Sequence, residues 1–134
     1  MTNKSSSFKN WRLGSIMILT AAASFFLIGM TALVTDVGYL YYSQARLQTA
    51  VNAAWKAGYD QMITLKRLSS PVLNDEIKNK VTLHCKEVMG LNGFNADELQ
   101  EFLVTFTPPS GQFRNNYLRV FARQKVGMFF AKVL

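Results

Sequence analysis

The sequence predicts an α+β chain, mainly α, in which a long N-terminal transmembrane helix continues out of the membrane and leads to a small helical/β-hairpin extracytoplasmic domain. Three observations carry this. An uncharged apolar run spans residues 13–34. No proline interrupts the chain before Pro71. Beyond that residue the hydrophobic period shortens from that of a helix to that of a strand.

The apolar run reads LGSIMILTAAASFFLIGMTALV. As a helix it would be about 33 Å long, the hydrocarbon thickness of a bilayer. Helical hydrogen bonding satisfies its backbone internally, as lipid requires. Lys4, Lys9 and Arg12 precede the run without an acid among them, whereas Asp36 follows it and the next base is Arg46. This bias places the N-terminus in the cytoplasm and the remainder outside. Trp11 on one side and Tyr39, Tyr41 and Tyr42 on the other are the amphipathic rings expected at headgroup level. The run is longer than the apolar region of a cleaved signal peptide, and no small-x-small site follows it, so an uncleaved signal-anchor is expected. The organisation expected is a cytoplasmic basic leader over 1–12, the transmembrane helix over 13–35, its extension over 36–68 and the extracytoplasmic domain over 69–134.

Thr20, Ser24, Thr31, Thr35 and Gly38 recur at helical spacing and form one small, weakly polar stripe. Such stripes let helices approach closely in lipid. The same hydroxyls can equally bond back to their own helix. Beyond the membrane, Val37, Leu40, Leu47, Val51, Ala54, Gly58, Met62 and Leu65 follow a near-heptad repeat in which Gln44 fills one step. With five alanines between 45 and 57 supporting it, one helix is expected from about residue 10 to about 68, stopped by Ser69-Ser70-Pro71. The stripe needs a cover, from the rest of this chain or from another. Thr20, Ser24, Thr31, Thr35, Gly38, Leu47, Val51, Ala54 and Gly58 are the expected helix-partner positions. Gly38 and Gly58 mark either close approach by a neighbour or simple tolerance.

Asn74 is placed to cap a second helix running to Met89, with Asp75 and Glu76 suited to its macrodipole and Gly90 as its stop. Its apolar face is Ile77, Val81, Cys85, Val88 and Met89. Asn95-Ala96-Asp97-Glu98 is a capping-box-like start for a short helix. Phe102–Thr107 and Tyr117–Arg123 read as strands joined through Pro108-Pro109-Ser110-Gly111. In the second, Leu118, Val120 and Ala122 share one face, and Arg119 and Arg123 the other. The apolar end, Phe129-Phe130 and Val133-Leu134, is expected to pack on the long helix or on a partner.

The formal charge is +7, but the 15 lysines and arginines are scattered and not interleaved with aromatics, which disfavours a nucleic-acid groove. His84, the sole histidine, and Cys85, the sole cysteine, are adjacent on a helix and point about 100° apart, a poor geometry for a shared metal. Cys85 is expected to act as a small apolar residue. Asp75, Glu76, Glu87, Asp97, Glu98 and Glu101 sit at helix starts or on solvated faces. No catalytic, cofactor-binding or metal-ligating set emerges, and neither an enzyme nor a small-molecule substrate is expected.

The stretch around the membrane exit resembles a known family. Gly14-Ser15-Ile16-Met17 opens the apolar run, followed by Asp36-Val37-Gly38, Tyr41, Arg46-Leu47-Gln48, Ala50, Asn52-Ala53-Ala54 and Ala57-Gly58. From Gly14 to Gly58 this is similar to the N-terminal region of TadE/TadG-like proteins, the pilin-like components of tight-adherence (Flp) pilus assembly. Asn52 stands where that family usually has Asp, Trp55 stands where a small residue is common, and Arg46 lies directly before Leu47. The resemblance implies a membrane-anchored minor pilin-like or pilus-assembly component, with the lipid bilayer and other pilus-machinery or pilin-like subunits as its partners in cell adhesion. A processed pilin carries a glutamate at the fifth position after its cleavage site. For cleavage after Gly14 that position is Leu19, which favours a TadG-like component over a fibre-forming pilin. TadG-like proteins often have a larger extracytoplasmic domain, so a short variant is expected. Two other readings stand beside this one: a prepilin cleaved after Gly14, and a membrane-tethered binding module whose fragment from Lys56 onward would fold and hold a soluble partner.

Overall fold

A computed structural model describes residues 5–69, 72–109 and 116–130, with side chains from residue 14 onward. Helix α1 runs Ser5–Leu68, α2 runs Asp75–Leu91, and strands β1 (Glu101–Thr105) and β2 (Arg119–Arg123) form a two-stranded antiparallel sheet. The expected mainly helical α+β class is the one observed. Ser70, Pro71, Ser110, Gly111, Val133 and Leu134, together with the Lys4 and Trp11 side chains, lie outside the described residues. The chain divides into two compact units. One comprises Met1–Leu40 with Met128–Leu134, and the other Tyr41–Gly127.

In the first unit the apolar part of α1 is bare. Phe25, Phe26, Leu27, Ile28, Leu33 and Val34 are all exposed. Among the described residues this is the one helix long and apolar enough to cross a membrane, with a mean hydropathy of 2.2 in its most apolar window and none of that window buried. Exposure of so continuous an apolar surface is stable in lipid and unfavourable in water.

The second unit has a core of its own. Ala50, Ala54 and Met62 of α1 meet Ile77, Val81, Cys85 and Met89 of α2, together with Phe94 and Leu118. Leu47, Val51 and Leu65 pack around them half-buried. Met62, Val81, Cys85 and Met89 are the largest fully buried side chains, and an apolar side chain of this size contributes about 1.5–3 kcal/mol when removed from water. The small residues are what permit the approach of α1 and α2. A Cβ at Gly58 would collide with Cys85 Sγ, lie 3.3 Å from Leu118 Cδ2 and 3.5 Å from Val81 Cγ1. Close approach therefore accounts for Gly58. Because the core draws on Ala50 and Ala54, a fragment beginning at Lys56 would lack part of it.

Helix α2 begins as expected: Asn74 Oδ1 accepts the Ile77 amide at 2.9 Å. Its end is displaced from the expected stop at Gly90, which lies within the helix. The chain turns at Gly93, with φ of +83°. The Gly93 amide donates to Gly90 O at 2.9 Å and the Phe94 amide to Met89 O at 3.0 Å. This is the Schellman arrangement, closed by an apolar pair, Phe94 and Met89, that both join the core. A glycine needed at positive φ overrides a nearer glycine that the helix tolerates.

The short helix expected at Asn95 is absent; residues 96–98 form a turn. Asn95 Oδ1 accepts the Asp97 amide at 3.2 Å, and its Nδ2 donates to Glu98 Oε1 at 3.0 Å. The side chains that resemble a capping box thus close a local Asx turn, which competes with helix when no apolar face follows.

The hairpin pairs Phe102 with Ala122 and Val104 with Val120. These four rest half-buried on the core, while Arg119 and Arg123 are exposed. Two strands are not stable alone; here one face is covered by the helices.

Candidate functional site

The nine expected helix-partner residues fall into two groups. Leu47, Val51, Ala54 and Gly58 are taken up by the chain's own core, under α2 and Leu118. Thr20, Ser24, Thr31 and Thr35 lie on the exposed surface of α1, and a Cβ at Gly38 would meet nothing within 4 Å.

Each hydroxyl of that stripe bonds back to its own helix. Thr20 Oγ1 lies 3.0 Å from both Ile16 O and Met17 O. Ser24 donates to Thr20 O, Thr31 to Leu27 O and Thr35 to Thr31 O, each at 2.8 Å. The hydroxyl protons are thereby satisfied within the helix, as a lipid-embedded polar group requires. What remains outward is a strip of small, low-relief surface.

The membrane-exit motif has a function in the fold that the sequence did not disclose. Asp36 is 6% exposed and is the one buried charged side chain among the described residues. Its Oδ1 accepts the Phe129 amide at 3.0 Å, and its Oδ2 and Oδ1 lie 3.1 and 3.3 Å from the Phe130 amide. A carboxylate receiving backbone amides makes charge-assisted bonds, which offset its desolvation. Tyr39 meets the Phe129 ring edge-on at 5.2 Å. The expected packing of the apolar end on the long helix is thus present for Phe129 and Phe130. Sequence spacing carried no signal of it, because the partners are separated by more than ninety residues.

Between this segment and α1 lies an apolar groove of about 480 Å³. Phe25, Ile28, Gly29, Ala32, Leu33 and Phe130 are among its lining. At about 100° per residue the groove is centred roughly 150° around the helix from the threonine-serine stripe, with Ile28 on the edge nearer the stripe.

In the second unit, two motif residues acquire partners. The Arg46 guanidinium carbon lies 5.8 Å from the Tyr42 ring centre and 5.6 Å from that of Phe94, a cation within reach of two aromatic rings. Trp55 donates from Nε1 to Leu118 O at 2.9 Å and stacks on Tyr59 at 5.7 Å. Phe94, unmarked in the sequence reading, joins the core and Arg46 at once.

His84 and Cys85 diverge as expected. His84 Nδ1 lies 3.3 Å from Glu87 Oε2. Cys85 Sγ points into the core, 3.5 Å from Ala54 O, and burial pushes its thiol up to about 11. A thiol so held is protonated and inert near neutral pH.

Residues 14–60 match the model of the Flp pilus-assembly TadE/G-like family. The match covers the apolar run, the Asp36-Val37-Gly38 exit and the part of α1 that carries Arg46, Ala54 and Gly58, in agreement with the resemblance read from Gly14 to Gly58. It ends before α2. Neither a curated protein nor a solved structure matches the chain.

Proposed function

We propose that the chain is a minor, pilin-like component of a Flp-type pilus-assembly machine, anchored once in the bacterial cytoplasmic membrane and acting through helix–helix contacts there. The observation that carries this is the coincidence of the family match with a bare apolar helix. Residues 13–35 cross the bilayer, the basic leader stays in the cytoplasm, and residues 36–134 stand outside. The cations before the span and Asp36 after it support that orientation. Thr20, Ser24, Thr31, Thr35 and Gly38 form the face that other pilus subunits approach. Its small side chains allow close backbone contact, and van der Waals packing supplies the attraction between helices in lipid. Leu47, Val51, Ala54 and Gly58 contribute differently, by binding the distal domain to its own stem.

Photo-crosslinking in the native membrane tests the reading. A benzophenone side chain at Thr31 is expected to yield adducts with protein, and one at Leu33, on the other face, adducts with lipid. Lipid adducts alone from Thr31, Ser24 and Gly38 would refute the helix-partner role. A cysteine placed at Glu76 is expected to react with an impermeant thiol reagent added outside spheroplasts; reaction only after lysis would invert the orientation.

A further inference from the structure

We propose that Met128–Phe130, held by Asp36, is a second membrane-contact element: its apolar side chains enter the outer leaflet beside the span, and a phospholipid acyl chain fills the groove between them and α1. The inference rests on the proposed transmembrane placement of residues 13–35 and adds to it a point of contact about ninety residues further along the chain.

Four observations support a lipid occupant. First, Asp36 stands two residues beyond Val34, the last residue of the apolar run, so the amides it holds sit at the level where the span leaves the hydrocarbon. Second, the segment it holds is apolar and uncovered: Phe129 is 64% exposed, and Phe130 and Met128 are 46% and 44% exposed. In water two adjacent exposed phenylalanines are unfavourable, whereas at an interface aromatic rings are enriched. Third, Met128 and Phe130 line the same groove as Phe25, Ile28 and Leu33, which belong to the span itself. The groove is therefore continuous with the lipid-facing surface. Fourth, its lining is apolar apart from Asp36, whose carboxylate is already engaged with the Phe129 and Phe130 amides. Nothing polar is presented to a partner that would need hydrogen bonds, and the threonine-serine stripe faces the opposite way.

Asp36 is then a positioning residue. It fixes the segment by its backbone, leaving the side chains free to face lipid. Two amides that would otherwise enter the interface unpaired are satisfied by one carboxylate. The neighbouring Tyr39 ring, edge-on to Phe129, completes an aromatic girdle at this level.

Spin-label accessibility in the full chain, reconstituted in phosphatidylethanolamine–phosphatidylglycerol vesicles, tests this. Labels are placed singly at Phe130, at Ile28 as the lipid reference and at Glu76 as the aqueous one, in a Cys85→Ala background. The expected result is that the Phe130 label is accessible to oxygen and shielded from a water-soluble nickel chelate, as at Ile28. Asp36→Ala is expected to abolish that shielding, and Asp36→Asn, which retains one acceptor oxygen, to reduce it partly. An aqueous Phe130 label beside a lipid-exposed Ile28 label would overturn this inference and leave the transmembrane reading intact. An aqueous Ile28 label would overturn the transmembrane reading and this inference with it. Unchanged shielding at Phe130 in Asp36→Ala would overturn the part assigned to Asp36.

Discussion

Gly58→Ala should destabilise the distal domain, although alanine is the better helix former. The substitution gains about 1 kcal/mol in helix propensity. Against this, the new methyl group would overlap Cys85 Sγ and press on Leu118 Cδ2 at 3.3 Å. Both neighbours are buried, and Cys85 is held on the facing helix, so relief requires α1 and α2 to move apart. Overpacking of this kind costs about 1–3 kcal/mol, which leaves a net loss of roughly 1 kcal/mol. The opposing sulfur identifies the cause. In a Cys85→Ala background the space is vacated, and Gly58→Ala should become neutral or stabilising. The double-mutant cycle should show a favourable coupling of about 1 kcal/mol or more. Urea unfolding of the full chain in detergent micelles measures it, followed by Trp55 fluorescence with Trp11 replaced by Phe. If Gly58→Ala stabilises the wild-type background, or the two changes add to within about 0.3 kcal/mol, the close approach of α1 and α2 at Gly58 is refuted.

Three further outcomes are expected. Asn74→Ala removes the acceptor for the Ile77 amide and should cost about 1 kcal/mol in the same unfolding assay, with Asn74→Asp largely restoring it. Stability should fall at alkaline pH: the unfolded thiol of Cys85 ionises near its ordinary 9.0 while the folded one is held to about 11. Between those values the unfolded state has lost a proton that the native state keeps. The contribution is intact below pH 9 and declines by up to about 2–3 kcal/mol toward pH 11, and Cys85→Ala should flatten that part of the profile. Trp55→Phe leaves Leu118 O without its indole donor and should cost about 1 kcal/mol, read by circular dichroism, since the fluorescent probe is removed, as a lower urea midpoint at unchanged slope.

The elements that could be read from the sequence are those whose determinants are close together along the chain. The apolar run and its basic leader lie within the first 34 residues. The cap of α2 is a contact across three residues, and its buried face repeats at helical spacing as Ile77, Val81, Cys85 and Met89. Alternation placed Val120 and Ala122 on the inner face of the hairpin, where they are found. Reading failed where two local signals competed. Gly90 and Gly93 are both plausible stops, and the choice between them depends on where Phe94 is buried. The Asn95 segment has the side chains of a cap, yet no apolar face follows to pack, so the turn prevails.

The candidate interaction face shows the same division. Periodicity identified a stripe from Thr20 to Gly38 and a heptad from Leu47 to Gly58, but not which would be covered from within. That depended on α2 and Leu118 reaching the second group. Local composition alone determined that a bare apolar helix comes first and a small α+β domain follows, because both depend on residues within a few turns or a few strand positions of each other. Tertiary structure alone decided that Asp36 would hold the amides of Phe129 and Phe130 and that Gly58 would face Cys85, since a contact between distant residues exists only once the intervening chain has folded to bring them together.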